Sequence, residues 1–243
     1  MEAMSAATVS MDLDAAAEAP LLLDRLDEVT LESRARVEST LFMQELFRGS
    51  WGQGVFGRYV QTTHYVSYLQ QLHPIYVALE NALGGGYSWA GPFRPMLHEL
   101  WRSPAIESDL ILLSGPEAPQ PPPTVASQVY VARLCELVRE APHLLTAHAY
   151  VRCSLDVLRG PERLERLSGA LGLPKGVGAA LYRAVPAEGM LRYRESLENW
   201  LEGLGLSEAA IFEVIEEART AFRLNVLLLD ELARGALGMQ QAR

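Results

Sequence analysis

The segment 142–160, PHLLTAHAYVRCSLDVLRG, concentrates the side chains that could do chemistry in this chain. Steps of three and four residues put four of its side chains on one face of a predicted helix, namely Leu145, His148, Arg152 and Asp156. Apolar neighbours flank this face, so we expect it to be buried. Because an unpaired buried charge is costly, Arg152 and Asp156 should then be paired or hydrogen-bonded. The pattern indicates either a structural ion pair between helices or a polar network that lines a cofactor pocket.

The composition predicts a soluble globular protein. Hydrophobic residues make up 49% of the 243 residues, and the formal net charge is −9. No apolar run approaches the roughly 18 residues of a membrane span, and no cluster of basic residues has the density that nucleic acids or acidic membranes require. The first 20 residues lack the features of a signal peptide. Cys135 and Cys153 fit neither a CxxC site nor a disulfide framework, which favours a cytoplasmic protein.

The hydrophobic periodicity predicts an all-α, single-domain protein, because no segment alternates as a strand does. We expect a disordered leader at 1–20, a helical domain at 21–237 and a flexible tail at 238–243. Pro74 should kink one of the helices, and Ser207 is the expected N-cap of the last. The predicted helices lie at 20–47, 58–83, 95–101, 104–113, 125–139, 142–158, 161–171, 188–203 and 207–234, with a weak helix near 177–183.

The five histidines are the first candidates for metal ligands, but they form neither an HxxxH nor an HExxH motif. Glu140 and His143 have the ExxH spacing that helical di-iron proteins use, although Pro142 lies between them at a helix start. No metal site is predicted, because no defensible spacing relates this pair to the other available ligands, which are Glu45, His64, Glu80 and His148. No Ser–His–Asp arrangement and no phosphate-binding glycine loop is present in the pattern either.

Four segments, in order, resemble matching segments of heme oxygenases: LHPIYVALENAL (72–83), ELWRSPAIESDL (99–110), LLTAHAYVR (144–152) and VIEEARTAFRLNVLLLDEL (214–232). FMQELFRG (42–49) fits the first long helix of that family. The resemblance covers about residues 24–234. It implies a single-domain helical fold in which heme lies between the first helix and a kinked distal helix, here the segment 142–160.

The resemblance implies an oxygen-dependent opening of heme to biliverdin, carbon monoxide and iron, with electrons from a reductase or ferredoxin. The distal carboxylate that holds the proton-delivering water network in the family is kept here as Asp156, with Tyr150 and Arg152 beside it. These three are the implied catalytic residues. Family positions near the heme that keep a fitting residue are Phe42, Met43, Gly160, Arg194, Phe222 and Asn225.

Other heme contacts depart from the family's pattern. The axial iron ligand of the family is a histidine eight residues before the FM pair, and that position is Arg34, whose guanidinium offers iron no lone pair. Leu155 and Arg159 stand where the distal helix carries glycines, so their side chains should fill the space beside the porphyrin. Asp27 and Glu198 replace basic residues that hold the heme propionates, and carboxylates would repel them. All these changes disfavour ordinary heme ligation and turnover.

Three functional hypotheses result from these residues. The first is a divergent heme oxygenase that still binds heme or another tetrapyrrole, with a reductase or ferredoxin as partner if it is catalytic. The second is a heme-oxygenase fold reused as a binding or regulatory protein without heme catalysis. The third is a heme-oxygenase-like non-heme di-iron oxidase, whose carboxylates and histidines would have to face one cavity.

Overall fold

A computed structural model describes residues 20–49, 57–85, 101–118, 120–174 and 176–241, with side chains for all of these except 57–60 and 238–241. Its helices are α1 (Leu22–Val29), α2 (Leu31–Glu38), α3 (Leu41–Arg48), α4 (Gly57–Gly84), α5 (Ser103–Ser114), α6 (Val125–Glu140), α7 (Leu145–Arg152), α8 (Gly160–Leu171), α9 (Met190–Gly203) and α10 (Glu208–Gln241). Short 3₁₀ turns lie at Pro142–Leu144, Ala180–Tyr182 and Ala187–Gly189, and a π-helical turn at Cys153–Val157. These ranges contain no β-strand, which confirms the all-α prediction. Within them, no helix is long and apolar enough to cross a membrane.

Helix α7 lies in the middle of the fold, where all of its residues are buried. It packs against α10, α4 and α6. The sequence LTAHAYVR explains this position, because small and apolar residues separate its polar groups on every side of the helix. The polar groups of α7 must therefore find their hydrogen-bond partners inside the protein.

The segment 20–47 is helical as predicted, but the structure divides it into three separate helices. The chain bends at two threonines whose hydroxyls bond to backbone carbonyls. Thr30 Oγ1 donates to the carbonyl of Leu26 at 2.7 Å, and Thr40 Oγ1 donates to that of Val37 at 2.7 Å. These bends let both α1 and α2 pack on α10.

The predicted helix 142–158 changes its helical type twice. It begins with a 3₁₀ turn, continues as α7 and ends in the π-helical turn, where the amide of Leu158 donates to the carbonyl of Cys153 at 2.8 Å. A π-helical turn holds one residue more than an α-helical turn. All five of its side chains are buried, so Asp156 faces the interior together with Arg152.

Several other predicted helices are confirmed with small shifts at their ends. They correspond to α4, α5, α6, α8 and α9. Helix α4 continues through Pro74, whose nitrogen has no hydrogen to donate. At the start of α10, Ser207 Oγ accepts a hydrogen bond from the amide of Ala210 at 3.3 Å, as expected of an N-cap.

The remaining predictions differ from the structure or lie outside it. Helix α10 continues past the predicted end at 234 to Gln241. The weak helix near 177–183 is only the 3₁₀ turn at Ala180–Tyr182. The predicted helix 95–101 lies outside the described residues except for its last residue. The boundaries of the leader, domain and tail stay a prediction.

Candidate functional site

One polar group surrounds the hydroxyl of Tyr150. We call it the Tyr150 cluster, and it consists of Asp27, Arg34, Tyr150 and Arg194. Tyr150 Oη donates to Asp27 Oδ1 at 2.8 Å and accepts from Arg34 Nη2 at 2.7 Å. Arg34 Nη2 also donates to Asp27 Oδ1 at 2.7 Å, and Arg194 Nη1 lies 2.8 Å from Asp27 Oδ2. Two arginines and a tyrosine therefore share one carboxylate.

Four helices position the Tyr150 cluster at the edge of the interior. The bend at Thr30 separates Asp27 on α1 from Arg34 on α2, and Thr30 Oγ1 itself lies 2.9 Å from the Tyr150 hydroxyl. The Asp27 and Arg34 side chains are each 23% exposed, and Arg194 is 37% exposed. Water therefore reaches part of this cluster.

Hydrogen bonds set the protonation states in the Tyr150 cluster. Burial alone would raise the pKa of Asp27, but hydrogen bonds from Arg34, Arg194 and Tyr150 outweigh it and hold the pKa below its usual value. Burial and the adjacent Asp27 carboxylate raise the pKa of Tyr150. At neutral pH the cluster thus holds a carboxylate, a neutral phenol and two guanidinium ions. Arg34 is a cation that already has two acceptors.

A second polar group surrounds Asp156. This Asp156 cluster consists of Tyr76, Arg152, Asp156 and Arg163. Tyr76 Oη donates to Asp156 Oδ2 at 2.7 Å, and Arg152 Nη1 lies 3.1 Å from the same oxygen. Arg163 Nη1 donates to Asp156 Oδ1 at 3.2 Å. The three charged side chains are 3% exposed or less, so the expected pairing of Arg152 with Asp156 is present and fully buried.

Sequence reasoning missed two members of the Asp156 cluster, Tyr76 on α4 and Arg163 on α8, and Arg163 is the charged one. Its guanidinium carbon lies 5.5 Å from the ring centroid of Phe47 and 5.7 Å from that of Tyr182. Its Nη2 donates to Glu38 on α2. One helical turn later, Leu167 is buried on the same face. That spacing was the available signal for a core-facing arginine, whereas Arg166, the other arginine of α8, is exposed.

Phe222 and Asn225, on α10, pack against α7. Arg152 Nη2 donates to Asn225 Oδ1, and Asn225 Nδ2 donates to the carbonyl of Ala221 at 2.8 Å. The ring of Phe222 meets the ring of Tyr150 edge-on, with 6.4 Å between their centroids. Asn225 thus extends the Asp156 cluster, whereas Phe222 supports the Tyr150 cluster.

The other predicted cofactor contacts divide between core and surface. Phe42, Met43 and Leu155 are all buried in the hydrophobic core. Arg159 differs from the expectation that it fills the interior, because its side chain is 35% exposed and its Nη2 lies 2.8 Å from Glu162 Oε2. A salt bridge at the surface holds this arginine away from the space beside α7.

Gly160 begins α8 at a close contact between backbones. A Cβ atom at this position would lie 2.7 Å from the backbone oxygen of Tyr182. Such a separation is shorter than real Cβ atoms adopt. The glycine therefore permits α8 to approach the turn at Ala180–Tyr182, and its missing side chain leaves no open space for a ligand.

The potential metal ligands are engaged in separate contacts. His148 Nε2 lies 2.9 Å from Glu217 Oε1, and His143 Nε2 lies 3.0 Å from Glu213 Oε2. Glu80 accepts hydrogen bonds from two backbone amides at the start of α5. Among the residues that the structure describes, no group of three or more histidine, cysteine, aspartate or glutamate side chains could hold a metal ion. The candidates for a di-iron site therefore do not converge there.

Comparison with known sequences identifies related proteins. The family model for heme oxygenase matches residues 21–231. Heme oxygenase 1 of Homo sapiens is 33% identical over 215 residues, which cover 87% of this chain and 71% of that protein. Heme oxygenase 2 of Synechocystis sp. is 31% identical over 224 residues, which cover 89% of this chain and 86% of that protein.

Solved structures share the arrangement of helices. Heme oxygenase-2 from Synechocystis sp. PCC 6803, in complex with heme and NO, matches with a TM-score of 0.78 at 29% identity, covering 90% of this chain and 88% of that chain. The heme oxygenase from Leptospira interrogans matches with a TM-score of 0.76 at 25% identity, covering 87% of this chain and 100% of that chain. The fold implied by the sequence resemblance is therefore confirmed.

Proposed function

Since this chain belongs to the heme oxygenase family, we propose that it keeps the family's helical scaffold but neither ligates nor cleaves heme in the family's way. It acts instead as a binding or regulatory protein. Arg34 carries this proposal, because it occupies the axial-ligand position and its guanidinium donates to both Asp27 and Tyr150. A cation with two acceptors of its own cannot serve as an iron ligand.

Heme does not fit these residues in the pose that the resemblance implies. The carboxylate of Asp27 stands at a position where a heme propionate would need a cation, and it is held as an anion by Arg34 and Arg194. Placing a propionate beside it would bring two anions together. Leu155 is packed in the core, where a glycine would leave room for a porphyrin. The residues at the axial, propionate and distal positions therefore all oppose heme binding.

A divergent heme oxygenase with a shifted heme pose is the second candidate. The Asp156 cluster favours it, because Asp156, Arg152 and Asn225 form a hydrogen-bonded group beside α7. Such an enzyme would need a reductase or ferredoxin as its electron donor. This candidate has less support than the first, because a buried ion pair such as Arg152 with Asp156 also has a purely structural role.

A hemin titration of the purified chain tests the proposal. We expect no saturable Soret band at one heme per chain, because the axial position offers no lone pair. Ascorbate added at the end point should then produce no biliverdin spectrum. A saturable band that decays to biliverdin would overturn the proposal and establish the second candidate.

Substitutions test whether the residue at the axial position is the sole obstacle to heme binding or whether Asp27 and Leu155 also prevent it. Arg34→His alone should still give no saturable band, since Asp27 and Leu155 continue to oppose heme. Combining Arg34→His with Asp27→Lys and Leu155→Gly should produce a five- or six-coordinate heme spectrum. Arg36→His, at an exposed site two residues further along α2, is the matched control and should bind no heme. Binding by Arg34→His alone would show that Asp27 and Leu155 present no obstacle.

A further inference from the structure

A groove of about 390 Å³ runs between α2 and α10, within the range of small-molecule sites. Helix α2 contributes Ser33 and Arg36 to its wall. Helix α10 contributes residues at helical spacing, namely Arg219, Phe222, Arg223, Val226, Leu227 and Asp230. The groove belongs to neither polar cluster, although Phe222 forms part of its wall and contacts Tyr150.

Three arginines and one aspartate line this groove, so its charge is opposite in sign to the net charge of −9 of the chain. Among the described residues, neither Arg36 nor Arg223 pairs with a carboxylate, and Arg223 Nη2 donates only to the hydroxyl of Thr220 at 2.8 Å. Arg219 forms a salt bridge with Glu216 on its own helix. Two guanidinium groups therefore remain available to an anion.

The opposite end of the groove is acidic, and its middle is apolar. Asp230 lies seven residues after Arg223, which corresponds to about 10 Å along a helix. Between them, Val226 is 9% exposed and Leu227 is 53% exposed. A ligand that lies along α10 thus meets arginines, then apolar side chains, then a carboxylate.

We propose that this groove binds a small amphipathic monoanion, with its acidic head at Arg223 and its apolar body along Val226 and Leu227. Arg36, on the α2 wall, adds a second unpaired guanidinium to the positive field of the groove. Guanidinium groups bind carboxylates through paired, charge-assisted hydrogen bonds, which favour this head group. The apolar middle favours a chain or ring over a sugar. Asp230 repels a second negative charge at the far end. This site is independent of whether the protein binds heme.

Three eight-carbon probes test the order of these contacts. Octanoate is the reference, 1-octanol replaces its charged head, and octanedioate adds a carboxylate at the far end. Octanoate should bind saturably and shift backbone amide NMR signals of residues 33–36 and 219–230. The neutral 1-octanol should bind at least about tenfold more weakly, since it lacks the charge that the arginines recognise. Octanedioate, whose second carboxylate reaches toward Asp230, should also bind more weakly than octanoate. Equal binding of octanoate and octanol, or shifts located elsewhere, would overturn the proposal.

Substitutions in the groove test which side chains contact each end of the ligand. Arg36→Gln combined with Arg223→Gln should weaken octanoate binding at least about tenfold. Arg192→Gln, at an exposed site on α9, is the matched control and should leave binding unchanged. Asp230→Asn should selectively improve binding of octanedioate. Unchanged octanoate affinity in the double variant, with the fold intact by circular dichroism, would contradict the assigned site.

Discussion

The Tyr150 cluster and the Asp156 cluster have the same chemical composition in different surroundings. Each contains one aspartate, two arginines and one tyrosine, and in each the tyrosine donates to the carboxylate. The charged side chains of the Tyr150 cluster are 23% to 37% exposed. Those of the Asp156 cluster are at most 3% exposed. Burial is thus the main difference between the two.

Burial determines how strongly the fold depends on each cluster. A partly exposed ion pair contributes about 0 to 1 kcal/mol, because water and salt screen it. Breaking a buried pair leaves an uncompensated charge and costs about 3–5 kcal/mol. A protein can therefore exchange residues of the Tyr150 cluster at little cost in stability, whereas the Asp156 cluster resists substitution. For this reason the presence of Asp156 does not by itself indicate heme turnover.

The largest expected effect comes from Asp156→Asn. Among the described residues, this change leaves the buried Arg152 without a counter-charge and leaves Arg163 with Glu38 alone. It should lower the free energy of unfolding by about 3–5 kcal/mol. Urea denaturation at neutral pH measures the loss. Asp230→Asn, at an exposed position on α10, is the control and should change stability by less than about 0.5 kcal/mol. A loss below about 1 kcal/mol for Asp156→Asn would remove the distinction between the clusters.

The ion pair between Glu217 and Arg133 is intermediate in burial between the two clusters. The Glu217 side chain is 5% exposed, and that of Arg133 is 30% exposed. Burial alone would raise the pKa of Glu217, but hydrogen bonds from His148 and Arg133 lower it to about 2. A carboxyl with a depressed pKa stabilises the fold above its unfolded pKa of about 4.3 and loses this effect as the pH falls through its folded pKa. Glu217→Gln should therefore cost about 2 kcal/mol at neutral pH.

The pH dependence checks the sign of this effect. Urea denaturation of wild type and Glu217→Gln should show a constant difference in stability above about pH 5, and that difference should shrink as the pH falls toward about 2. A difference that stays constant over the whole range would show that the charge of Glu217 does not stabilise the fold.

The smallest expected effect comes from Asp27→Asn in the Tyr150 cluster. Its carboxylate is partly exposed, so the loss should be about 1 kcal/mol or less. Because the pKa of Asp27 lies below its usual value, this contribution is present at neutral pH and is lost in acid. The loss should also decrease at about 1 M salt, where charges are screened within about 3 Å. Asp156→Asn provides the contrast, since its cost should not change with salt.

Helical spacing predicted much of the Asp156 cluster but little of its surroundings. Arg152 and Asp156 lie four residues apart on one helix, so local periodicity is sufficient to pair them. Arg163 reaches the same carboxylate from α8, and nothing in its local pattern specifies that partner. Arg159 was expected to point inward, but a surface salt bridge with Glu162 holds it outside.

The sequence by itself determined the helical class and the family, and through the resemblance it predicted that Arg34 stands at the axial position. An arginine at position 34 offers no lone pair to iron in any surroundings, so this conclusion needs no structure. Only the tertiary structure decided that Arg34 meets Asp27, Tyr150 and Arg194. These groups come from helices far apart in the chain, and their contacts depend on how α1, α2, α7 and α9 pack. Packing also decided which aspartate is buried, and hence which cluster the fold depends on.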